Sequence, residues 1–275
     1  RVLFRSFGQL ERETISIRIR DNMYALAENG NWLGGEVATG FESERLTYLD
    51  TNGKEKTYCV LKPIKEEIEL VELAFSKYLE LKSLSKVQKY MLSNYIKTKN
   101  GKEWSRNGLR NILTNPVYVR VDDDVLNYYK SQDINVFGKV DNSHGILIYS
   151  KRGGKSGKNK DPKEWIYAIS SHEGIIDSSD WLRVQKLITI NKDKAPALGS
   201  SNIALLSGLI RCSKCGSYMR VAYGKQYADS NVKKFYYVCS LKNDSGKTRC
   251  NNRNVNGIDL DRSEEHTSEL QSPSG

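Results

Sequence analysis

Four of the five cysteines lie in the last quarter of the sequence, at spacings typical of a metal site. Cys212 and Cys215 are separated by two residues. Cys239 and Cys250 follow, with ten residues between them. Two thiolates spaced like the first pair can bind one ion, and Gly216, directly after them, allows the backbone to fold under that ion. We therefore predict that all four cysteines bind one Zn²⁺; two disulfide bonds in a secreted domain are the alternative.

The remaining cysteine and the three histidines bear on the choice between a metal and disulfides. Cys59 makes the cysteine count odd, and the chain is rich in lysine, which fits a reducing cytosol better than a secreted protein. We therefore favour zinc, expect a cytoplasmic protein, and interpret Cys59 as a small core residue. His144, His172 and His266 lie far from the cysteines in sequence and are predicted not to bind the ion.

Basic residues are concentrated in three segments. The formal net charge is +10, whereas residues 82–120 carry +8, residues 151–163 carry +5 and residues 203–253 carry +8. Clustered positive charge indicates a polyanionic partner, because each phosphate that a lysine or arginine neutralises releases condensed counterions. An ordinary solvated surface would explain any one segment, but three in one chain favour a nucleic acid. No run approaches the ~18 apolar residues of a membrane span. The candidate DNA-binding residues are Lys97, Lys99, Lys102, Arg106, Arg110, Arg120, Lys151, Arg152, Lys155, Lys158, Arg220, Lys225, Lys233 and Lys234.

Helices and short strands are predicted to carry these residues. Apolar spacing predicts helices over residues 7–28, from Lys62-Pro63 onward, over 84–95, and after Ser105, which can act as an N-cap. Runs rich in β-branched and aromatic residues predict strands at 117–121, 146–149 and 165–169. A last helix is expected to begin at Asp177 or Ser178. Residues 192–202 are predicted to link two domains.

The two cysteine pairs are predicted to lie at one end of a β-hairpin. Residues 217–223 and 235–239 have the composition of strands, and this arrangement is typical of a zinc ribbon. Strand alternation places Arg220 opposite to Val221, and Lys225, Lys233 and Lys234 cluster near the hairpin tip. A two-stranded ribbon fits the major groove of B-DNA, and the sequence does not identify which of its side chains read base edges. The expected fold class is α+β, with a mixed helical domain and small β-subdomain followed by a zinc β-ribbon domain.

Four sequence blocks resemble the large serine recombinases, the serine integrases of the resolvase–invertase superfamily. The blocks are residues 9–20, beginning Gln9-Leu10-Glu11-Arg12; residues 34–41; residues 104–118, containing Thr114-Asn115-Pro116; and residues 174–185 followed by 205–212. The resemblance covers nearly the whole chain, and the block at 104–118 is the most specific. Val37 and Ala38 stand where the family usually has prolines, and Arg120 stands where it commonly has glycine.

The resemblance implies site-specific DNA binding and recombination for a mobile element. In this family a serine attacks a DNA phosphodiester, and staggered cleavage, subunit rotation and religation follow without ATP. No serine here lies in the arginine-flanked motif that the family uses, so no catalytic residue is assigned and the chain is expected to be inactive alone. Arg12 matches a helix arginine near the family's active site, with a solvated helix charge as the alternative.

The resemblance also implies a domain order. Residues 1–29 match the end of the long helix that leaves a resolvase-type catalytic domain, residues 30–191 the recombinase DNA-binding domain, and residues 203–261 the zinc-ribbon domain. Residues 1–6 and 262–275 resemble translated sequencing-adapter DNA and are expected to be foreign to the fold.

The partners and the setting follow from the same resemblance. Duplex DNA at an attachment site is the expected partner, and self-association would use catalytic and coiled-coil regions outside this chain. The protein is expected to be bacterial or phage-encoded and nucleoid-associated. A non-enzymatic zinc-ribbon DNA-binding regulator is the first alternative, and an RNA-binding zinc ribbon is the second.

Overall fold

The computed structural model describes residues 2–49, 53–153, 157–194, 204–226 and 233–262, with the backbone alone for residues 2–8, 193–194, 225–226 and 233. Lys155, most of the predicted linker and residues 263–275 lie outside the described residues, as do the side chains of Lys225 and Lys233. In the part of the chain that is described, no helix combines the length and the apolar character needed to cross a membrane.

Helices and strands are mixed along the chain, which confirms the predicted α+β class. In chain order the elements are α1 (Val2–Glu28), β1 (Phe41–Leu49), β2 (Glu55–Pro63), α2 (Lys65–Leu81), α3 (Leu84–Ser93), α4 (Arg106–Leu113), a 3₁₀ helix (Pro116–Tyr118), α5 (Asp123–Lys130), β3 (Val136–Phe137), β4 (His144–Tyr149), β5 (Arg152–Gly153), β6 (Lys158–Asn159), a 3₁₀ helix (Pro162–Glu164), β7 (Ile166–Glu173), α6 (Ser178–Lys194), β8 (Met219–Gln226), β9 (Lys233–Cys239), α7 (Ser240–Asp244) and β10 (Val255–Asn256).

The chain divides into two compact units. The first comprises Arg1–Lys82 with Arg110–Ile190, and the second comprises Ser83–Leu109 with Asn191–Gly275. Residues 83–109, which the sequence assigned to the recombinase-like domain, therefore group with the ribbon. The domain limits drawn from the sequence stay a prediction.

Helices α2 and α6 and a three-stranded sheet contribute to the core of the first unit. Along α2, Val71, Phe75 and Tyr78 are buried on one face, as expected from the apolar spacing that predicted a helix here. The central strand β7 pairs antiparallel with β4 and parallel with β3. Trp181 and Val184 of α6 are also buried. The predicted helix beginning at Asp177 or Ser178 is therefore confirmed.

Strands β1 and β2 form an antiparallel hairpin that the sequence did not predict. Phe41 pairs with Pro63, so Lys62 and Pro63 end a strand and α2 begins later, at Lys65. The prediction of a helix opening at Lys62-Pro63 is wrong. All of β1 after Phe41 is exposed, so the segment lacks the alternation of buried and exposed residues by which a half-buried strand is recognised.

Residues 117–121 are buried apart from Arg120, but they do not form the predicted strand. A 3₁₀ helix occupies Pro116–Tyr118, and Val119 makes only an isolated parallel bridge to Ile176. The Asn115 side chain accepts a hydrogen bond from the Val117 N–H at 3.2 Å, which stabilises the turn. This run is apolar because it is enclosed by the core, and periodicity alone does not separate such a run from a strand.

The second unit is organised around a three-stranded sheet. Strand β9 lies between β8 and β10 and is antiparallel to both, so the predicted ribbon hairpin is confirmed. Buried Met219, Phe235 and Tyr237 form its core together with three of the clustered cysteines. The Tyr237 hydroxyl donates to Asp261 at 2.7 Å and accepts from the Leu206 N–H at 3.0 Å, which joins the two ends of the ribbon domain.

Candidate metal centre and nucleic-acid interface

The four predicted cysteines meet at one end of the β8–β9 hairpin. Their sulfur atoms all lie within 4.8 Å of one another. The Cys212 and Cys250 sulfurs are 3.8 Å apart, and those of Cys215 and Cys239 are 3.4 Å apart. A disulfide needs about 2.05 Å, whereas four sulfurs at ~2.3 Å around a tetrahedral ion are separated by roughly 3.8 Å. The predicted clustering is confirmed, and the spacing fits one bound metal ion.

A tight turn brings the first two cysteines together. The Cys212 N–H donates to the Ser217 carbonyl at 2.8 Å, and the Gly216 N–H donates to the Cys212 carbonyl at 2.8 Å. Gly216 has φ +69°, which L residues rarely adopt, although a Cβ there would meet no neighbouring atom. Glycine is therefore required by backbone conformation rather than by crowding.

Hydrogen bonds to sulfur surround the cluster. Asn252 Nδ2 donates to Cys212 Sγ at 3.1 Å, and the Lys242 N–H donates to Cys239 Sγ at 3.5 Å. Burial raises the pKa of the Cys212 thiol, but backbone N–H donors and the Asn252 side chain outweigh it and lower the pKa to about 6. Burial raises the pKa of Cys239 to about 12. Thiols this close lose their protons together when a cation offsets the accumulated charge.

Arg220, a predicted DNA-binding residue, forms an ion pair within the ribbon. Its Nη2 atom on β8 donates to Asp244 Oδ1 of α7 at 2.8 Å, and its side chain is 34% exposed. A phosphate would therefore compete with this carboxylate for the guanidinium. Lys234, on β9, is half-buried. The assignment of both residues to DNA stays a prediction.

Four other predicted DNA-binding residues of the second unit lie on one loop and the helix that follows it. They are Lys97, Lys99, Lys102 and Arg106, all exposed. We call residues 94–105, between α3 and α4, the basic loop. Within it the Thr98 N–H donates to the Lys102 carbonyl at 3.0 Å, and the Lys102 N–H donates to Thr98 Oγ1 at 3.1 Å. Lys97 pairs with Glu103. The loop thus presents several cations on a short turn fixed by hydrogen bonds.

The predicted DNA-binding residues of the first unit are held in different ways. They are Arg110, Arg120, Lys151, Arg152 and Lys158, all exposed. Arg120 donates to Asp177 at 2.8 Å and to the Gly174 carbonyl at 3.2 Å, so it braces the chain before α6. Desolvation by neighbouring protein atoms lowers the pKa of Lys151, whose Nζ lies 5.7 Å from the centre of the Trp165 ring. Arg152 and Lys158 lie on the short β5–β6 hairpin. Their assignment to DNA stays a prediction.

Among the described residues, His144, His172 and Cys59 are not members of the cysteine cluster. His172 is buried in the first unit with Nε2 2.8 Å from the Val117 carbonyl, and His144 pairs with Asp141. His266 lies outside the described residues. Cys59 is half-buried on β2.

Asn252 and Arg249 lie beside the cysteine cluster but were absent from the predicted site residues. A signal for the first exists, because Asn251-Asn252 directly follow Cys250 and a short polar side chain there can fold back onto a sulfur. Arg249 precedes Cys250, and its Nη2 donates to Glu103 Oε1 at 2.6 Å. Sequence shows Arg249 only as one more cation in a basic segment.

Comparisons with known proteins match both parts of the chain. A family model described as Recombinase matches residues 65–191, and one described as Recombinase zinc beta ribbon domain matches residues 205–263, which include the four clustered cysteines. A protein of Bacillus subtilis (strain 168) named "Putative DNA recombinase" is 28% identical over 196 residues, covering 68% of this chain and 34% of that protein. The chain therefore spans about a third of the length of this relative.

Two solved structures are also similar to the chain. One, described as an LSR–DNA complex, has 18% identity and a TM-score of 0.39, covering 94% of this chain and 66% of that one. The other comes from work on the sequence requirements of the Listeria innocua prophage attP site. It has 18% identity and a TM-score of 0.37, covering 93% of this chain and 88% of that one.

Proposed function

We propose that this chain, which belongs to the large serine recombinase family, recognises the DNA site at which such a recombinase acts. Its two matched domains, in the order that the sequence predicted, support the proposal. The main support for the proposal is that four thiols cluster within the part of the chain that resembles a recombinase zinc ribbon. The segregated basic residues supply the charge that a DNA partner requires.

The ion proposed for the four cysteines is Zn²⁺. Thiolates are soft ligands, and a tetrahedral set of four is the usual structural site for this ion. Four sulfur ligands leave no open position for water or substrate, so the ion would stabilise the ribbon and would supply no catalysis. Cys212, Cys215, Cys239 and Cys250 would hold it, with Asn252 orienting the Cys212 sulfur.

Duplex DNA at an attachment site is the proposed partner. The basic loop and Arg106 would contact phosphates, which position a protein on DNA without reading its sequence. A two-stranded ribbon such as β8–β9 fits the major groove, and its side chains would supply the base contacts. Lys151, Arg152 and Lys158 would extend the phosphate contacts of the first unit.

Recombination is the proposed activity of the whole protein, within a bacterial or phage-encoded mobile element acting in the cytoplasm. The family's serine chemistry is not assigned to any residue of this chain, since no serine here lies in the arginine-flanked motif. These residues would bind and orient the DNA, and self-association would be the task of other regions. A non-enzymatic zinc-ribbon regulator is the alternative function.

A titration of the full chain against duplexes from the flanking genomic DNA tests the proposal. Fluorescence anisotropy should show binding that prefers the ends of the element over promoter duplexes and over single strands. Each neutralised phosphate contributes about −0.9 to the slope of log K against log salt, so several contacts predict a slope of roughly −3 or steeper. Preference for promoter duplexes would favour the regulator, and preference for single strands would favour RNA binding.

The same titration tests the role of the cysteines. Cys239→Ser should abolish the binding of one equivalent of zinc and weaken site-specific binding at least tenfold, as should a zinc chelator, because the ribbon depends on its ion. Cys59→Ser is the matched control, since Cys59 lies outside the cluster, and it should leave both measurements unchanged. Unchanged DNA binding by the Cys239 variant would refute the proposed role of the ribbon.

A further inference from the structure

Arg249, the residue directly before Cys250, makes three contacts with the end of α3 and the basic loop. Its Nη2 donates to Glu103 Oε1 at 2.6 Å, and its Nη1 donates to the Leu92 carbonyl at 3.4 Å. Its guanidinium carbon lies 4.3 Å from the centre of the Tyr95 ring. The Arg249 side chain is only 14% exposed, so this cation is largely withdrawn from any phosphate.

Tyr95 adopts an unusual backbone conformation at the start of the basic loop. Its N–H donates to the Leu92 carbonyl at 3.2 Å, and the Ile96 N–H donates to the Met91 carbonyl at 3.0 Å, the pattern of a Schellman helix end. The left-handed position of that motif usually holds glycine, but here it holds Tyr95 with φ +58°. An aromatic residue persists in this strained region when its surroundings hold it there, and the guanidinium against its ring is such a contact.

A second set of contacts joins the chain after α7 to α3. Ser93 Oγ donates to the Ser245 carbonyl at 3.1 Å, and Thr248 Oγ1 donates to the same carbonyl at 2.9 Å. Gly246 lies against the end of the Lys89 side chain, whose Cε atom would be 2.3 Å from an added Cβ. The segment that leads into Cys250, residues 245–249, therefore contacts α3 at several points.

Glu103 is the only acidic residue between residues 82 and 120, and its environment explains its presence there. Its Oε1 atom contacts both Arg249 and Lys97, and its Oε2 atom is buried without a hydrogen-bond partner among the described residues. A carboxylate on a DNA-facing loop repels phosphate, so its removal alone should strengthen binding. Its contacts instead make it the point at which Arg249 holds the loop.

We infer that Arg249 is a positioning residue that couples the metal centre to the basic loop. Through Glu103 and Tyr95 it fixes the loop in the shape that presents Lys99 and Lys102, so metal binding at Cys250 also orders a phosphate-contacting surface. The coupling itself needs no DNA. Only its consequence for binding rests on the proposed function.

Hydrogen exchange of the full chain without DNA tests the coupling. In the metal-loaded protein, Arg249→Gln should raise the exchange rates of the Ile96, Gly101 and Lys102 amides at least tenfold, while one equivalent of zinc stays bound. Arg249→Lys should do the same, because an ammonium keeps the charge but lacks the planar fork. Arg253→Gln removes an exposed charge from the same segment and should change nothing. Unaltered exchange of the loop in both Arg249 variants would overturn the inference.

Glu103→Gln provides a second test, because the positioning role and simple electrostatics predict opposite changes in DNA binding. If Arg249 acts through Glu103, this variant should bind duplex DNA about tenfold more weakly, although it has lost a negative charge. Equal or tighter binding would overturn the positioning role. Failure of the unmodified chain to bind any duplex would instead refute the proposed function, and the exchange experiment would still decide the coupling.

Discussion

His172 is a histidine buried as a neutral group in the first unit. Its Nε2 lies 2.8 Å from the Val117 carbonyl, and its ring packs edge-on against Phe41 with centroids 5.2 Å apart. The space beside it exists because residue 145 is glycine, where an added Cβ would lie 2.4 Å from Nε2. Burial outweighs the hydrogen bond and lowers the pKa of His172 to about 4. A protonated ring would therefore be costly in this core.

The pKa of His172 predicts that stability falls with acidification. Its folded pKa of about 4 is below the unfolded value of about 6.5, so as pH falls through 6.5 the unfolded chain gains a proton that the folded chain does not. The free energy of unfolding should be unaffected by this group above pH 6.5 and decrease by up to ~3 kcal/mol as pH approaches 4. Urea unfolding followed by tryptophan fluorescence measures this dependence.

His172→Gln isolates the histidine from other titrating groups, including the cysteines. Glutamine can still donate to the Val117 carbonyl, but it does not titrate in this range. The variant should have a shallower pH dependence of unfolding between pH 6.5 and 4, whatever its absolute stability. Parallel profiles for the two proteins would show that His172 does not set the slope.

At the scale of elements, α4 depends on a capping residue that the sequence predicted. Ser105 Oγ accepts a hydrogen bond from the Gly108 N–H at 3.0 Å, which satisfies one of the free donors in the first turn. Ser105→Ala should lower the free energy of unfolding by about 1 kcal/mol and fray the turn that carries Arg106. Urea unfolding measures the loss, with exposed Ser213→Ala as the control. Equal stability of the two variants would mean that the cap contributes nothing.

Elements with a strong local signal could be predicted from the sequence. The stripe along α2 appears as apolar residues at helical spacing because one face is buried. The ribbon strands were bracketed by the cysteine pairs, and the thiols at Cys212 and Cys215 are close in sequence as well as in space. The four-cysteine site was predictable because ligand type and spacing report chemistry directly.

Other elements left no local signal. Strand β1 is exposed on both faces after Phe41, so the hydrophobic pattern of a half-buried strand is absent there. The contact between Arg249 and Glu103 joins residues 146 positions apart. Counting charges along the sequence shows Arg249 only as one more cation of a basic segment and Glu103 only as an isolated acid, so it does not reveal the pair. Such pairs are set by tertiary packing, which spacing along the chain does not encode.

At the scale of the whole molecule, the two compact units have cores of different kinds. In the first unit, large side chains such as Trp181, Tyr78 and Tyr118 are fully buried. In the second, Cys212, Cys239 and Cys250 are themselves core residues beside Phe235 and Tyr237. A small core containing metal ligands cannot be separated energetically from its ion, because deprotonated thiols without a cation repel one another.

Metal removal should therefore unfold the second unit and leave the first intact. With a zinc chelator at pH 7, amide protection should disappear in β8, β9 and α7 and decrease in α3, which contacts α7. Protection in α2, α6 and β7 should stay, because these elements belong to the first unit.

Hydrogen exchange with mass spectrometry resolves these segments within one sample. Addition of excess zinc should restore protection, which separates metal loss from irreversible damage. If α2 and β7 lost protection together with the ribbon, folding of the first unit would depend on the metal and the two cores would be one cooperative structure. Retained protection in β8 and β9 would show instead that Phe235 and Tyr237 hold the ribbon without the ion.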